Sequence, residues 1–253
     1  GWIEPWGAND HVIEFSAVTN THYVHQAGLA FIGDVGAGLM ALRNGVQPRR
    51  TWTGGEPAAA RDMHKRAFAA KGKWGPEAVI ETARRMLPRE TIATADTGAH
   101  RILLSQGWEC YQPRTLLQSS AFCTMGVALP LAMGVKLADT DRTVAAFTGD
   151  AGLEMVLGEL ATLRDLKLPV VIVVFVDESL ALIELKQRNS GFKNLGVDFG
   201  ATNFSAVAEA MGGHGATVAD EESLAVELNA ALGRETFSII SCEIGTKAYD
   251  GKF

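Results

Sequence analysis

Three short clusters carry side chains able to handle a charged cofactor. Gly149-Asp150-Ala151-Gly152 stands between an apolar stretch and a segment of helical pattern. Small residues there let the backbone approach an anion. A helix start adds free N–H groups and the positive end of its dipole. Asp150 fits such a place only if a cation separates its carboxylate from a phosphate, which implies Mg²⁺ or Ca²⁺ bridging to a diphosphate. The alternative is that Asp150 merely caps a helix. The second cluster, Asp177-Glu178-Ser179, follows 27 residues later (177 − 150), the length of one helix and one strand. Neighbouring parallel strands joined by that unit end at the same sheet edge. Two hard oxygen ligands would then converge beside a phosphate-binding helix start. The third cluster, Asp96 to His100, also follows a strand-like segment.

The elements that must position these clusters read as follows. His11 to Val18 alternates like a short strand, and Ala30 to Asp34 leads into a helix over Val35 to Asn44. Gly45 to Pro57 is dense in Pro, Gly and Arg and reads as a linker. Residues 1–50 are therefore expected to be the tail of one domain plus linker, and 51–253 a second domain. In the second, helices are expected over Glu77 to Met86, Gly126 to Leu137, Leu153 to Leu166, Phe204 to Met211 and Ser223 to Leu232. Strands are expected over Thr91 to Asp96, Thr143 to Thr148, Val170 to Val176 and Phe237 to Ile244. That alternation predicts an α/β fold, a doubly wound parallel sheet with helices on both faces. Ligands in such sheets sit beyond the carboxyl ends of the strands, where all three clusters fall.

Composition narrows the classes. Hydrophobic residues make up 47% and charged residues 21% of the 253, an ordinary globular balance that excludes disorder, collagen and coiled coil. The net charge is −6, the wrong sign for a general nucleic-acid binder. The uncharged run Thr115 to Val135 contains Gln118, Ser119, Ser120, Thr124 and Pro130, so no membrane span is expected. Cys110, Cys123 and Cys242 are too few and scattered for a disulfide scaffold or zinc site. They suit a reducing cytoplasm. The chain opens Gly-Trp-Ile-Glu-Pro-Trp without Met, which suggests a piece or processed form of a longer protein.

Gly149 to Gln187, including Glu159-Leu160-Ala161-Thr162 and Leu168-Pro169-Val170, closely resembles the thiamine-diphosphate-dependent enzymes of the acetolactate-synthase-like group. Cys123-Thr124-Met125-Gly126 stands where that group has Gly-Thr-Met-Gly, and Thr97-Gly98-Ala99-His100 where it reads Gly-Gln-His. Residues 11–44 resemble the last strand and helix of the family's middle domain. The resemblance covers nearly the whole chain. It implies thiamine diphosphate and Mg²⁺ (or Ca²⁺) as cofactors, and a C–C bond made or broken next to a carbonyl in a 2-oxo acid or acyl substrate. Asp150, Asp177 and the Ser179 carbonyl would hold the metal. The N–H groups of Ala151 and Gly152, next to Gly149, would hold diphosphate, and Gly98, Ala99 and His100 would cover it. Met125 would wedge the cofactor into its bent shape, and the Cys123 carbonyl would accept from the 4′-amino group. The plain alternatives are core packing for Met125 and a surface loop for His100.

Several positions depart from the family. Asp177 and Val176 replace Asn-Asn, Ala99 replaces Gln, and Thr140 replaces a common Pro. Lys186 stands where acetolactate synthases carry a Trp that shapes the acceptor pocket, which argues against acetolactate synthase itself. The family's catalytic Glu belongs to a pyrimidine-binding domain, so a second chain or domain is expected as partner, in a dimer or tetramer. Glu154 and Glu178 would be the first substitutes to test. A non-catalytic cofactor-binding or scaffold module of the same fold is the rival reading. A dehydrogenase using Gly33 to Gly38 ranks below it, because that stretch lacks the dinucleotide spacing and reads as a helix entry. His22 with His25 lacks a third metal ligand, and Arg49-Arg50 reads as solvated.

Overall fold

The computed structural model describes residues 11–21 and 25–252. The chain divides into two compact units between Pro57 and Ala58. In the first, β1 (Ile13–Ser16) pairs in parallel with β2 (Leu29–Ile32), and α1 (Val35–Gly45) follows. Asp34 caps α1, its carboxylate accepting from the Ala37 N–H at 2.6 Å. Gly33 to Gly38 is thus a helix entry. Gly38 is required by close approach, since a Cβ there would lie 2.6 Å from the Phe15 ring. His22 lies outside the described residues.

The segment read as a linker is shorter than expected. Residues 46–55 have no regular structure, but Glu56 and Pro57 already open α2 (Glu56–Ala67). Proline is at home in a first helical turn, where its missing N–H would have no partner anyway. The residues of α2 are nearly all exposed, so no apolar stripe announced it.

The second unit continues with α3 (Pro76–Met86), β3 (Ile92–Ala95), α4 (Ala99–Gly107), β4 (Leu116–Gln118) and α5 (Ala128–Ala138). Next come β5 (Val144–Gly149), α6 (Asp150–Glu154), α7 (Glu159–Asp165), β6 (Val170–Val176) and α8 (Ala181–Asn189). It ends with α9 (Phe204–Ala210), β7 (His214–Val218), α10 (Glu221–Ala231) and β8 (Ser238–Glu243). Six strands form one all-parallel sheet in the order β4-β3-β5-β6-β8-β7.

Strand residues alternate between two cores. Ala145, Phe147, Val171, Val173 and Phe175 face a cluster built with α3, α4 and α10. Val144, Ala146, Val170, Ile172 and Val174 face another built with α5, α7 and α9. Both faces are covered, so β6 is buried along its whole length and reads as continuous apolar sequence. The fold is the doubly wound α/β sheet expected.

Chain direction reverses between β3 and β5. From β3 the chain moves outward to β4; from β5 it moves the other way to β6. The strand ends flanking that switch point diverge and leave a crevice, and Asp96 and Gly149 stand there. The expected helix over Leu153 to Leu166 is two pieces, α6 and α7, separated by turns at residues 155–158. Gly158 weakens the helix there. The expected helix at Gly126 begins only at Ala128, because Gly126 has φ 77°, a left-handed conformation.

Candidate functional site

Neighbouring β5 and β6 place Asp150 and Asp177 side by side, and both are buried. Asp150 is not the N-cap of α6. Gly149 is, and Asp150 occupies the first turn. Its Oδ1 accepts from the Ala151 N–H at 2.8 Å. Its Oδ2 accepts from the N–H groups of Asp177 at 3.1 Å and Glu178 at 2.8 Å. The tie to the Glu178 amide accompanies a left-handed turn, with φ 55° at Glu178. Asp177 Oδ2 is buried with no hydrogen-bond partner, which is costly for a carboxylate oxygen unless something meets it. Burial raises the Asp150 pKa above the usual carboxylate range. Burial first, and then the charge of Asp150, push Asp177 up to about 7. A cation between them would relieve both effects.

Ser179 follows on the same edge, its hydroxyl donating to Asp198 Oδ1 at 2.8 Å. Among the described residues no three His, Cys, Asp or Glu side chains gather in the manner of a metal site. Asp150 and Asp177 are thus the two carboxylates that stand together at this edge.

On the β3 side, Gly98 is the N-cap of α4 without a side-chain cap, followed by buried Ala99 and His100. This segment is a helix start rather than the surface loop considered for His100. The His100 ring stacks on Phe175 with centroids 5.4 Å apart. Its Nε2 lies 2.8 Å from Asp96 Oδ1. Glycine is required twice here by contact: a Cβ on Gly98 would lie 2.6 Å from the His100 ring, and one on Gly152 would lie 2.2 Å from Asp96 Oδ2.

Between these edges lies a cleft of about 240 Å³. Gly98, Ala99, His100 and Met125 line one side; Gly149, Ala151, Gly152, Asp177 and Ser179 line the other. Asp150 and Cys123 are not in its lining. Asp150 stands behind it, holding the Asp177–Glu178 turn. The Cys123 carbonyl accepts from the Thr97 hydroxyl, and Cys123 has φ 49°. Leu182, Ile183 and Lys186 of α8 and buried Tyr249 complete the wall. Sequence reading named Asp96 only as the start of a cluster, with no role of its own, and did not single out Tyr249. Position just past β3 was the available signal for Asp96, while nothing local marked Tyr249. A larger cavity of about 590 Å³ opens between α2, α3 and α4, but the sheet's strand ends do not reach it. Some of its charges are already paired, as in Lys65 with Glu109 at 3.3 Å.

The fold and cleft define a doubly wound α/β domain that presents a glycine-lined cleft and paired acids at its switch point. Residues 96–242 match the family described as thiamine pyrophosphate enzyme, C-terminal TPP binding domain. Acetolactate synthase of Bacillus subtilis (strain 168) is 30% identical over 169 residues, 67% of this chain and 30% of that protein. The acetolactate synthase isozyme 1 large subunit of Escherichia coli (strain K12) is 33% identical over 193 residues, 74% of this chain and 34% of that one. A solved structure, Rhodococcus jostii RHA1 thiamine diphosphate-dependent 4-hydroxybenzoylformate decarboxylase, shares the fold. Its TM-score is 0.75 at 19% identity, over 95% of this chain and 45% of that one. The chain belongs to the thiamine pyrophosphate enzymes, in their acetolactate-synthase-like branch, and carries their C-terminal cofactor-binding domain. It spans about a third of the length of these two curated relatives.

Proposed function

We propose that this chain supplies the diphosphate- and metal-binding half of a thiamine diphosphate-dependent enzyme that makes or breaks a C–C bond next to a carbonyl. Its substrate would be a 2-oxo acid or acyl compound, in a reaction other than acetolactate synthesis. The observation that carries the metal part is the buried, unpartnered Asp177 Oδ2 beside Asp150. Asp150, Asp177 and the Ser179 carbonyl would hold Mg²⁺ or Ca²⁺. The Ala151 and Gly152 amides would hold diphosphate beside Gly149, with Gly98, Ala99 and His100 across the cleft. Met125 would press under the cofactor's ring junction. The Cys123 carbonyl would accept from the amino group on its second lone pair, since Thr97 uses the first. When bound, the cofactor supplies the electron sink for the C–C step.

Lys186 is the lysine lining the cleft among the described residues. It suits an anionic substrate and differs from the Trp that acetolactate synthases carry there. Asp177 is the carboxylate in that lining, and it stands at the diphosphate end. The carboxylate that meets the pyrimidine would therefore come from a second chain or domain, in a cytoplasmic dimer or tetramer. Residues 1–50 would be the end of a middle domain. The scaffold reading gains nothing from Val176, whose side chain is buried in the core on the face with α5, α7 and α9. Val176 is not in the lining of the cleft. The test is Asp150→Ala in the whole assembled protein. Calorimetry in Mg²⁺ buffer should show thiamine diphosphate binding lost, with circular dichroism unchanged; undiminished binding would sink the assignment.

A further inference from the structure

We infer that Asp96 is a positioning residue for the cofactor, one buried carboxylate that aligns the three segments closing on the diphosphate. The inference rests on the reading that the cleft takes thiamine diphosphate. Asp96 stands one residue past β3 and is 1% exposed. Its Oδ1 meets His100 Nε2 at 2.8 Å. Its Oδ2 accepts from the Gly126 N–H at 2.8 Å and the Thr148 hydroxyl at 2.9 Å. Those partners belong to the first turn of α4, to the loop bearing Cys123 and Met125, and to the end of β5 just before Asp150. Gly152 of α6 closes on the same oxygen, leaving no room for a side chain.

A carboxylate is acceptor-only and can satisfy all three donors at once, which no neutral side chain of this size can do. An acceptor facing Nε2 puts a proton on that nitrogen. The opposite ring edge, with Nδ1, is then the one turned toward Gly98 and Gly149 in the cleft. Stacking on Phe175 fixes the ring plane. Asp96 itself is not in the cleft lining, so it acts through His100 and the Gly126 loop.

The test uses the whole assembled protein. Asp96→Ala should raise the Kd for thiamine diphosphate with Mg²⁺ by about tenfold or more, as losing an orienting carboxylate typically does. His100→Ala should have a similar effect, and the double variant should be little worse than either, because the two residues act as one unit. A purely structural role would give losses that multiply. Should Asp96→Ala fail to fold, the unaltered protein still decides. Nuclear magnetic resonance should show a slowly exchanging His100 Nε2–H and a protected Gly126 amide. Free exchange at both, unchanged affinity in Asp96→Ala, or multiplying losses would overturn the inference. Failure of the unaltered protein to bind thiamine diphosphate would instead sink the cofactor reading.

Discussion

Asp150 and Asp177 are a poor pair of anions where they lie, and pH exposes this. In metal-free protein Asp177 keeps its proton to about 7, against 3.8 for an ordinary Asp. Across that window the folded chain holds a proton that the unfolded chain has released. Stability therefore falls as pH rises from about 4 to about 7 and levels off above. The full shift corresponds to roughly 4 kcal/mol as an upper bound. Asp177→Asn removes the cost. At pH 8 with chelator, the variant should be more stable by on the order of 2 kcal/mol, with a flatter profile below pH 7. The same change should raise the Mg²⁺ concentration needed for cofactor saturation, because a neutral amide is a weaker hard-cation ligand. Urea midpoints across pH check the first claim and a Mg²⁺ titration the second; a variant less stable at pH 8 contradicts the account. These two residues were legible in the sequence because their spacing is that of one helical crossover and one strand, although the crossover is in two pieces. Asp96 was not legible as a hub, since its three partners stand 4, 30 and 52 positions away and only the fold gathers them.

Elements with strong period or both faces buried were legible: β6 was read residue for residue, and α3, α5, β5 and β8 were read to within about two residues at either end. Those whose sequence carries little local signal were not. β4 has three residues and ends in Gln118. β7 lies at the sheet edge and contains Gly215, a residue that weakens strands. α4 starts on an uncapped glycine. Gly215 nonetheless has a packing reason. A Cβ there would lie 2.2 Å from the Ser205 carbonyl oxygen and 2.4 Å from its Cα. Those are backbone atoms of α9, which cannot turn aside as a side chain can. Gly215→Ala should thus push α9 off β7 and cost about 1–3 kcal/mol of stability. The strand order places β7 at the edge away from β3 and β5, so folded Gly215→Ala should bind thiamine diphosphate as the unaltered protein does. Denaturant unfolding paired with calorimetry checks this. An unchanged unfolding midpoint would show that α9 yields without cost.

At the scale of the whole molecule, under the proposed function the cleft takes one end of the cofactor, and among the described residues its lining offers no second carboxylate for the other end. Proton transfer at the pyrimidine needs an acid or base held within hydrogen-bond reach. Among the described residues the carboxylate lining the cleft is Asp177, which the proposed function assigns to the metal and diphosphate. The two substitutes suggested by sequence are badly placed. Glu154 already accepts from the Thr202 hydroxyl. Glu178 is exposed and absent from the lining, with its amide tied to Asp150. Met125 is half-buried, and Phe122 close by in sequence is 93% exposed. Residues 1–253 purified alone should therefore fold, yet release no CO₂ from a panel of 2-oxo acids supplied with thiamine diphosphate and Mg²⁺. Adding the partner chain, or the remaining part of a longer parent, should restore turnover. The measurement is CO₂ release per mole of chain, with mass spectrometry confirming that a single polypeptide is present. Robust turnover by that pure chain would refute the shared-site reading. Glu154→Gln and Glu178→Gln would then show which carboxylate had been reached by a rearrangement of the cleft.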